Sequence, residues 1–317
     1  MARSLWQKEK NRSTLLLLAL FGLFLLPVGA FASEGAFSVE PLYTDIRLDT
    51  EEEKPFSLEV GNTTERPIVF RLSFVDFGSL DESGGIAFLG GRNDLQKRYG
   101  LASWLSAEKD VVTVFPGEKE RIRFSVTNRE SLSPGGHYGA VLFRAEKEGD
   151  DVNGIYPDVS ISPNFTALIF VRKTGGEIQE LQYKDSVIRT DLFGIPDKVS
   201  ERFQNSGNVH VTPRGIVEVR DPFGRIVRRG ILNEESGIIL PESYRLYPVA
   251  LKSLEKAIFP GFYTVSATYR YDGREDFTML PSERVFAWRL CFLWVFSAVA
   301  VVFVSRKILR KKKGPSV

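Results

Sequence analysis

The chain has 317 residues, with 42 Lys plus Arg against 40 Asp plus Glu, two histidines and a single cysteine. One cysteine excludes a disulfide scaffold, and two histidines leave few ligands for a histidine-built metal centre. The length is enough for two ordinary hydrophobic cores, which must then supply the folding energy.

The N-terminus reads MARSLWQKEKNRSTLLLLALFGLFLLPVGAFAS. Arg3, Lys8, Lys10 and Arg12 precede an apolar run from Leu15 to Val28, and Ala30-Phe31-Ala32 supplies the small-x-small ending. That order predicts a secretory signal peptide over residues 1–32, cut after Ala32.

From there the chain is written in strands. No long stretch shows helical spacing before the C-terminal segment, whereas alternation at period two recurs. In PIVFRLSFVDF, Ile68, Phe70, Leu72 and Phe74 share one face; in ERIRFSVTN, Ile122, Phe124 and Val126 do; in GFYTVSATYRYDG, Tyr263, Val265, Ala267, Tyr269 and Tyr271 do. Each predicts an antiparallel strand with one face on a core and one in water. Pro116-Gly117, Pro134-Gly135 and Pro260-Gly261 read as breaks between strands. Asp221-Pro222-Phe223-Gly224 reads as a type I turn and Asp272-Gly273 as a hairpin turn.

The two halves echo one another. EVGNTTERPIVFRLSF, TVFPGEKERIRFSV and LSPGGHYGAVLF are followed by RFQNSGNVHVTPRGIVEV, IILPESYRLYPVAL and IFPGFYTVSATY. Asn62 to Pro116 is 116 − 62 = 54 positions and Asn205 to Pro241 is 241 − 205 = 36, so the first half holds an excursion, assigned to Phe77–Trp104. Trp104 is expected to be a buried packing residue. The prediction is therefore all-β: two tandem immunoglobulin-like β-sandwiches over residues 33–173 and 174–284, with a boundary near Arg172–Gly176.

Near the end, Leu290 to Val304 carries no charge, and with Val285 to Trp288 it makes a transmembrane helix over residues 285–305. Arg289 is placed at its outer edge, with Trp288 and Trp294 in the interfacial belt. Arg306, Lys307, Arg310, Lys311, Lys312 and Lys313 form a basic tail, 306–317, that the positive-inside rule holds in the cytoplasm. Removing the two membrane flanks leaves Ser33–Arg284 with 42 − 11 = 31 basic and 40 − 1 = 39 acidic residues, about −8. An acidic ectodomain does not draw in nucleic acid.

Chemistry is hard to find. His137 and His210 lie in different halves without a second ligand or nucleophile beside them. His210 sits in QNSGNVHVTPRG, where Asn205–Asn208 reads as a turn. Val209, Val211 and Gly215–Val219 read as the next strand, with His210 on its solvated face and Pro213 at a bulge or edge. DESGG from Asp81 and GGRND from Gly90 read as polar turn clusters, matching neither a P-loop nor an EF-hand loop. Asn62-Thr63-Thr64 and Asn164-Phe165-Thr166 match the glycosylation triplet but are set aside as chance matches. The sequence offers no catalytic, cofactor-binding or metal-ligating residue, no cofactor, and no indication of an enzyme.

The order of signal peptide, two immunoglobulin-like domains, membrane helix and basic tail resembles bacterial cell-surface proteins of the WxL-interacting type. FSVEPLYTDIRL, LEVGNTTERPIVFRLSF, Ser103-Trp104, VFPGEKERIRFSV, SPGGHYGAVLF and FQNSGNVHVTPRGIVEVRDPFG carry the likeness. It implies a non-enzymatic, single-pass surface protein, N-terminus outside, that binds peptidoglycan and surface or secreted proteins. The first domain is also similar to the N-terminal domain of periplasmic pilus chaperones. That implies the alternative, a membrane-anchored assembly factor acting by strand addition.

Overall fold

The computed structural model describes residues 37–50, 52–89, 98–128, 132–146 and 164–312. The signal-peptide segment, Gly90–Asp94 and the last residues of the basic tail lie outside that set. What is described from Ser38 onward belongs to one compact unit.

The chain is all-β with one C-terminal helix, and its strands form two immunoglobulin-like sandwiches. In the first, β1 (Phe37–Glu40), β3 (Glu53–Asn62), β8 (Lys119–Thr127) and β6 (Leu105–Ala107) form one sheet in the order β1-β3-β8-β6. The facing sheet runs β2 (Tyr43–Leu48), β10 (Asn164–Lys173), β9 (Gly135–Glu146), β4 (Ile68–Ser79) and β5 (Ile86–Phe88), with β7 (Val111–Val114) also on β4. The alternation read from the sequence decides which side chains meet between them. Ile122, Phe124 and Val126 point in from β8, and Phe70 and Leu72 from β4. Phe74 reaches Phe124 across the gap, edge to face, with ring centroids 6.3 Å apart. Each such ring taken out of water is worth about 1.5–3 kcal/mol.

In the second sandwich, β11 (Leu181–Thr190), β12 (Pro196–Asn205) and β15 (Tyr244–Ala250) face a sheet ordered β16 (Lys252–Ser253), β14 (Ile226–Leu232), β13 (Arg214–Arg220), β17 (Phe262–Arg270) and β18 (Thr278–Met279). A last strand, β19 (Glu283–Phe286), also pairs with β17. Tyr263, Val265, Ala267, Tyr269 and Tyr271 face the core as the alternation predicts, against Phe203, Val199 and Val217. The Asp221–Gly224 turn forms: Gly224 N–H reaches the Asp221 carbonyl at 2.9 Å, and the Asp221 carboxylate accepts from the Phe223 and Arg225 amides.

The helix, α1 (Arg289–Lys312), starts four residues later than the sequence reading placed it. Val285 and Phe286 are apolar, but β17 pairs with them through Tyr263 and Phe262, so an available sheet edge extends the strand there. Trp104 also departs from expectation. It ends a short 3-10 turn, Ala102–Trp104, and is half-buried, because that turn lies at the sandwich surface.

The internal repeat has a physical basis in two asparagines. Asn62 ends β3 and Asn205 ends β12, and both are buried. Asn62 Nδ2 donates to the carbonyls of Arg66 (2.8 Å) and Val114 (2.9 Å); Asn205 Nδ2 donates to those of Val209 (2.8 Å) and Ile239 (2.9 Å). Each Oδ1 accepts the amide two residues on, from Thr64 and from Gly207, both at 2.9 Å. Each backbone carbonyl accepts from the residue after a proline, Gly117 or Glu242. So the same amide ties a strand end to the turn before the facing edge in both halves. Since Asn62 spends its side chain internally, it is not a glycosylation acceptor.

Asn62→Ala and Asn205→Ala each remove two side-chain hydrogen bonds to main-chain carbonyls; the Arg66 and Ile239 carbonyls keep a second donor, Thr64 Oγ1 and the Val211 amide, whereas Val114 and Val209 lose their side-chain donor. Each is expected to lower stability by a similar amount, on the order of 2–3 kcal/mol. Chemical denaturation of the detergent-solubilised chain reads this, and a large loss at one site with none at the other would break the equivalence.

Candidate functional site: the seam and the groove beside it

His210 lies where the two sandwiches meet, not on a solvated face. It is 4% exposed. Val209 and Val211 beside it are buried as well and belong to no strand; β13 begins only at Arg214, after Pro213. Period-two alternation fails here because the segment is an irregular connection whose second side is covered by the first sandwich. The His210 backbone N–H donates to Tyr138 Oη at 2.8 Å. Its ring meets Tyr138 and Phe170 edge to face, at centroid distances of 5.7 and 5.4 Å. Arg172 Nη2 stands 3.0 Å from Nε2, and Nδ1 lies 3.3 Å from Tyr138 Oη. Asp45 closes the group, with Oδ2 3.2 Å from Arg172 Nη2 and 3.5 Å from His210 Nε2. Burial works against its charge, yet His210 and Arg172 hold its carboxyl below the ordinary range.

Around this polar centre the seam is apolar. Phe77, Tyr138, Ala140 and Phe170 from the first sandwich pack with Leu240 from the second, flanked by Val75, Ile86, Tyr99 and Ile238. The supposed water faces of β4, β9 and β10 are therefore covered at this end.

The excursion Phe77–Trp104 reaches across the seam at both its described ends. In the DESGG turn, Asp81 Oδ1 accepts the Ser83 amide at 2.8 Å, the Glu82 carbonyl accepts Leu246 N–H at 2.8 Å, and the Glu82 carboxylate pairs with Arg202. At the returning end Asp76 Oδ1 accepts the Leu101 and Ala102 amides, both at 2.7 Å, which aims Arg98 and Tyr99 at Glu242. Tyr99 Oη donates to Glu242 at 2.8 Å and Arg98 Nη1 at 3.1 Å. Burial and then the Glu242 carboxylate push the Tyr99 phenol up to about 12. Glu242 itself has φ +58°, where its counterpart in the first half is Gly117 at +74°. A left-handed glutamate costs backbone energy that these cross-seam bonds offset.

His137, the other histidine, is buried in β9. Its Nε2 lies 2.7 Å from the Ser133 carbonyl and Nδ1 3.2 Å from that of Gly100, and burial lowers its pKa. It is a packing residue. Among the described residues no three His, Cys, Asp or Glu side chains converge as a metal site.

A groove of ≈ 530 Å³ opens next to the seam, where the two sheets of the second sandwich part between β14 and β15. Arg229, Ile231, Glu235, Arg245 and Lys252 line it, and Ser83 of the first sandwich closes one end. Its two rims differ. On β15 the Leu246 N–H is taken by Glu82, and Pro248 has no N–H to offer. On β14 the short β16 covers only Arg228 and Arg229; past it, among the described residues, no strand pairs with the outer side of Ile231. Gly230 lines the groove, and a side chain there would run into Val249 and the Ala250 carbonyl. This site had no sequence signal beyond the short span between β15 and β16.

One buried acid stands apart. Glu201 faces the second core from β12, and among the described residues its Oε2 has no hydrogen-bond partner. Burial first, then the charges of Glu283 and Asp185, push its pKa up to about 7.

These features define a tandem immunoglobulin-like protein with an apolar C-terminal helix, its sandwiches joined by a packed seam and with a groove open beside it. No family model matches the chain, and no curated protein matches it. Among solved structures it is similar in outline to one described as a chaperone–tip adhesin complex of CFA/I fimbriae biogenesis. That match has 14% identity, covers 78% of this chain and 97% of the other, and has a TM-score of 0.43. The class 5 fimbriae chaperone CfaA matches at 11% identity, with coverages of 77% and 97% and a TM-score of 0.39. A Csu chaperone–tip complex of Acinetobacter baumannii matches at 11%, with 66% and 88% covered and a TM-score of 0.35. The likeness is one of immunoglobulin-like outline and assigns no role to this chain.

Two measurements probe the site. Tyr138→Phe leaves the buried His210 N–H without an acceptor and is expected to cost about 1–3 kcal/mol, read by chemical denaturation. Glu201 binds its proton more tightly folded than unfolded, so its contribution is fully present below pH 4.5 and is lost as pH rises through about 7. Glu201→Gln should remove a fall on the order of 2 kcal/mol across that window. Parallel wild-type and variant pH–stability curves would refute the shifted carboxyl.

Proposed function

We propose that this chain is a non-catalytic envelope protein, held by α1 with its sandwiches outside the cytoplasm, that grips an extended segment of another envelope protein. The single observation behind this reading is the groove between β14 and β15. It is of a size that holds a short peptide, and one rim presents unpaired strand backbone at Ile231 while the other rim is closed. An incoming strand would continue the line of β16 along β14, with main-chain bonds supplying affinity. The mixed charges of Arg229, Lys252, Glu234 and Glu235 would set which side chains are accepted.

This is the assembly-factor reading, and the fimbrial chaperones to which the chain is similar in outline are described in complexes with tip adhesins. The surface or secreted proteins implied by the WxL-type resemblance are partners of the same chemical class. A wall polymer finds less support in this groove, since its aromatic residue, Tyr247, is buried with its hydroxyl on the Gly237 carbonyl.

The orientation follows from Arg306 and Lys307 and the basic residues behind them, which favour the cytoplasmic side. The test is a photo-crosslinking residue at position 231 of the full-length chain in intact cells. A crosslink to a second envelope protein, lost when Ile231 is flanked by Leu232→Pro, is the expected result. A crosslink to glycan alone, or none while the same probe at Val187 captures the partner, would overturn the groove assignment.

A further inference from the structure

Three loops of the second sandwich meet at the start of α1, and their tips are apolar. Leu192 and Phe193 lie between β11 and β12, Phe223 between β13 and β14, and Ile258 and Phe259 between β16 and β17. Leu192 is 77% exposed, Phe223 68% and Ile258 51%. Tips at the far end of a strand pair ordinarily carry polar turn residues; three with large apolar side chains, side by side, are a patch that water disfavours.

The loops are not merely near the helix but bonded along its first turns. Arg289 Nη1 donates to the Leu192 carbonyl at 3.2 Å. Trp294 Nε1 donates to the Ile258 carbonyl at 2.8 Å, and its ring stacks on Phe259 at 5.9 Å. Phe259 in turn meets Phe223 edge to face at 5.0 Å. Trp294 lies five residues into the helix, so Ile258 and Phe259 sit about 7–8 Å down its axis.

Depth then follows from length. The candidate span, Arg289–Ile308, has 20 residues with charges only at its two ends (Arg289, Arg306 and Lys307), and none of its apolar window is buried by protein. At 1.5 Å per residue it spans about 30 Å, the thickness of the hydrocarbon layer, with nothing to spare. Lifting the helix until Ile258 and Phe259 cleared the lipid would draw Arg306 and Lys307 by the same distance, about 7–8 Å, toward the apolar interior, where a charge is costly. Leaving the helix in register puts the loop tips at the headgroup–acyl boundary, about 5–10 Å deep, where aromatic and aliphatic side chains next to carbonyls are stable.

We infer that the membrane-facing end of the second sandwich is seated in the outer interfacial layer of the bilayer, with Leu192, Phe193, Phe223, Ile258 and Phe259 as its lipid contacts. The partner is the same bilayer that α1 crosses, so this rests on the reading of α1 as a membrane span. The seating holds the sandwiches at a fixed height and tilt, which a helix alone would leave free to swing. It also keeps the Trp294–Ile258 and Arg289–Leu192 bonds out of bulk water.

The test uses the full-length chain on a Cys291→Ser background in phosphatidylcholine liposomes containing lipids doxyl-labelled near the headgroup or mid-chain. An environment-sensitive fluorophore is attached in turn to Leu192→Cys, Ile258→Cys, Val299→Cys and Glu235→Cys, the last on the seam end of the sandwich. The expected result is strong quenching of the 192 and 258 labels by the shallow quencher, of the 299 label by the deep one, and of the 235 label by neither. If the 299 label is quenched while 192 and 258 behave like 235, the seating is wrong although the span stands. If 299 is not quenched either, the membrane reading itself fails. Blue-shifted emission at 192 and 258 without quenching would mean that protein rather than lipid covers them, and overturns the inference.

Discussion

A single phenolic oxygen organises the centre of this molecule. Tyr138 Oη accepts a main-chain N–H from the opposite sandwich, and its ring wedges between Phe77, Phe170 and His210. An amide buried between two domains must find an acceptor or lose a free energy comparable to a whole hydrogen bond. Because the acceptor belongs to the other domain, the bond exists only in one mutual placement, and the apolar contacts around it are satisfied in that placement too. Burial of the phenol keeps it neutral and available, its pKa being pushed upward. The polar rim of Arg172, Asp45 and His210 is satisfied within itself, so little is left to favour separation.

The two halves share one structural idea and differ where the seam is. Asn62 and Asn205 make the same set of bonds at the same points of their sandwiches, down to the turn that follows each corresponding proline, Pro116 and Pro241. The halves part company over Phe77–Trp104, which has no counterpart in the second. Its two described ends, Glu82 and Arg98–Tyr99, are spent on the second sandwich. The excursion is a clamp, and the left-handed Glu242 is what it clamps. A glycine would sit there with less strain, as Gly117 does, but it could not receive Tyr99 and Arg98.

The molecule thus runs from a seam, through a second sandwich, to a helix. Acid side chains dominate Ser33–Arg284 and basic ones the two ends of the chain, so charge as well as apolarity divides it. Binding, on the reading offered, takes place beside the seam, where the second sandwich's sheets diverge and the clamp loop supplies one wall. A rigid seam serves such a site, since a groove bounded by two domains keeps its width only if they do not move apart.

Much of the fold was legible because strand alternation is local. Phe70 and Leu72, Ile122 to Val126, and Tyr263 to Tyr271 face the cores as their spacing requires, and Asp221–Gly224 turns as its proline and glycine require. The repeat was visible through Asn62, Asn205 and their prolines, although the amide bonds that explain it join residues 52 and 34 positions apart. What failed was every statement about a face that the other domain covers. His210 alternates with valines and reads as exposed, yet it is buried because β9 and β10 arrive from more than 30 residues away. Val285 and Phe286 read as helix until β17 offers them an edge. The sequence by itself determined the strands, their inward sides, the turns and an apolar terminal segment, since each depends on neighbours within a few positions. Only the tertiary structure decided the seam, the groove and the end of the sandwich that meets α1, because these arise where surfaces distant in the chain exclude water from one another.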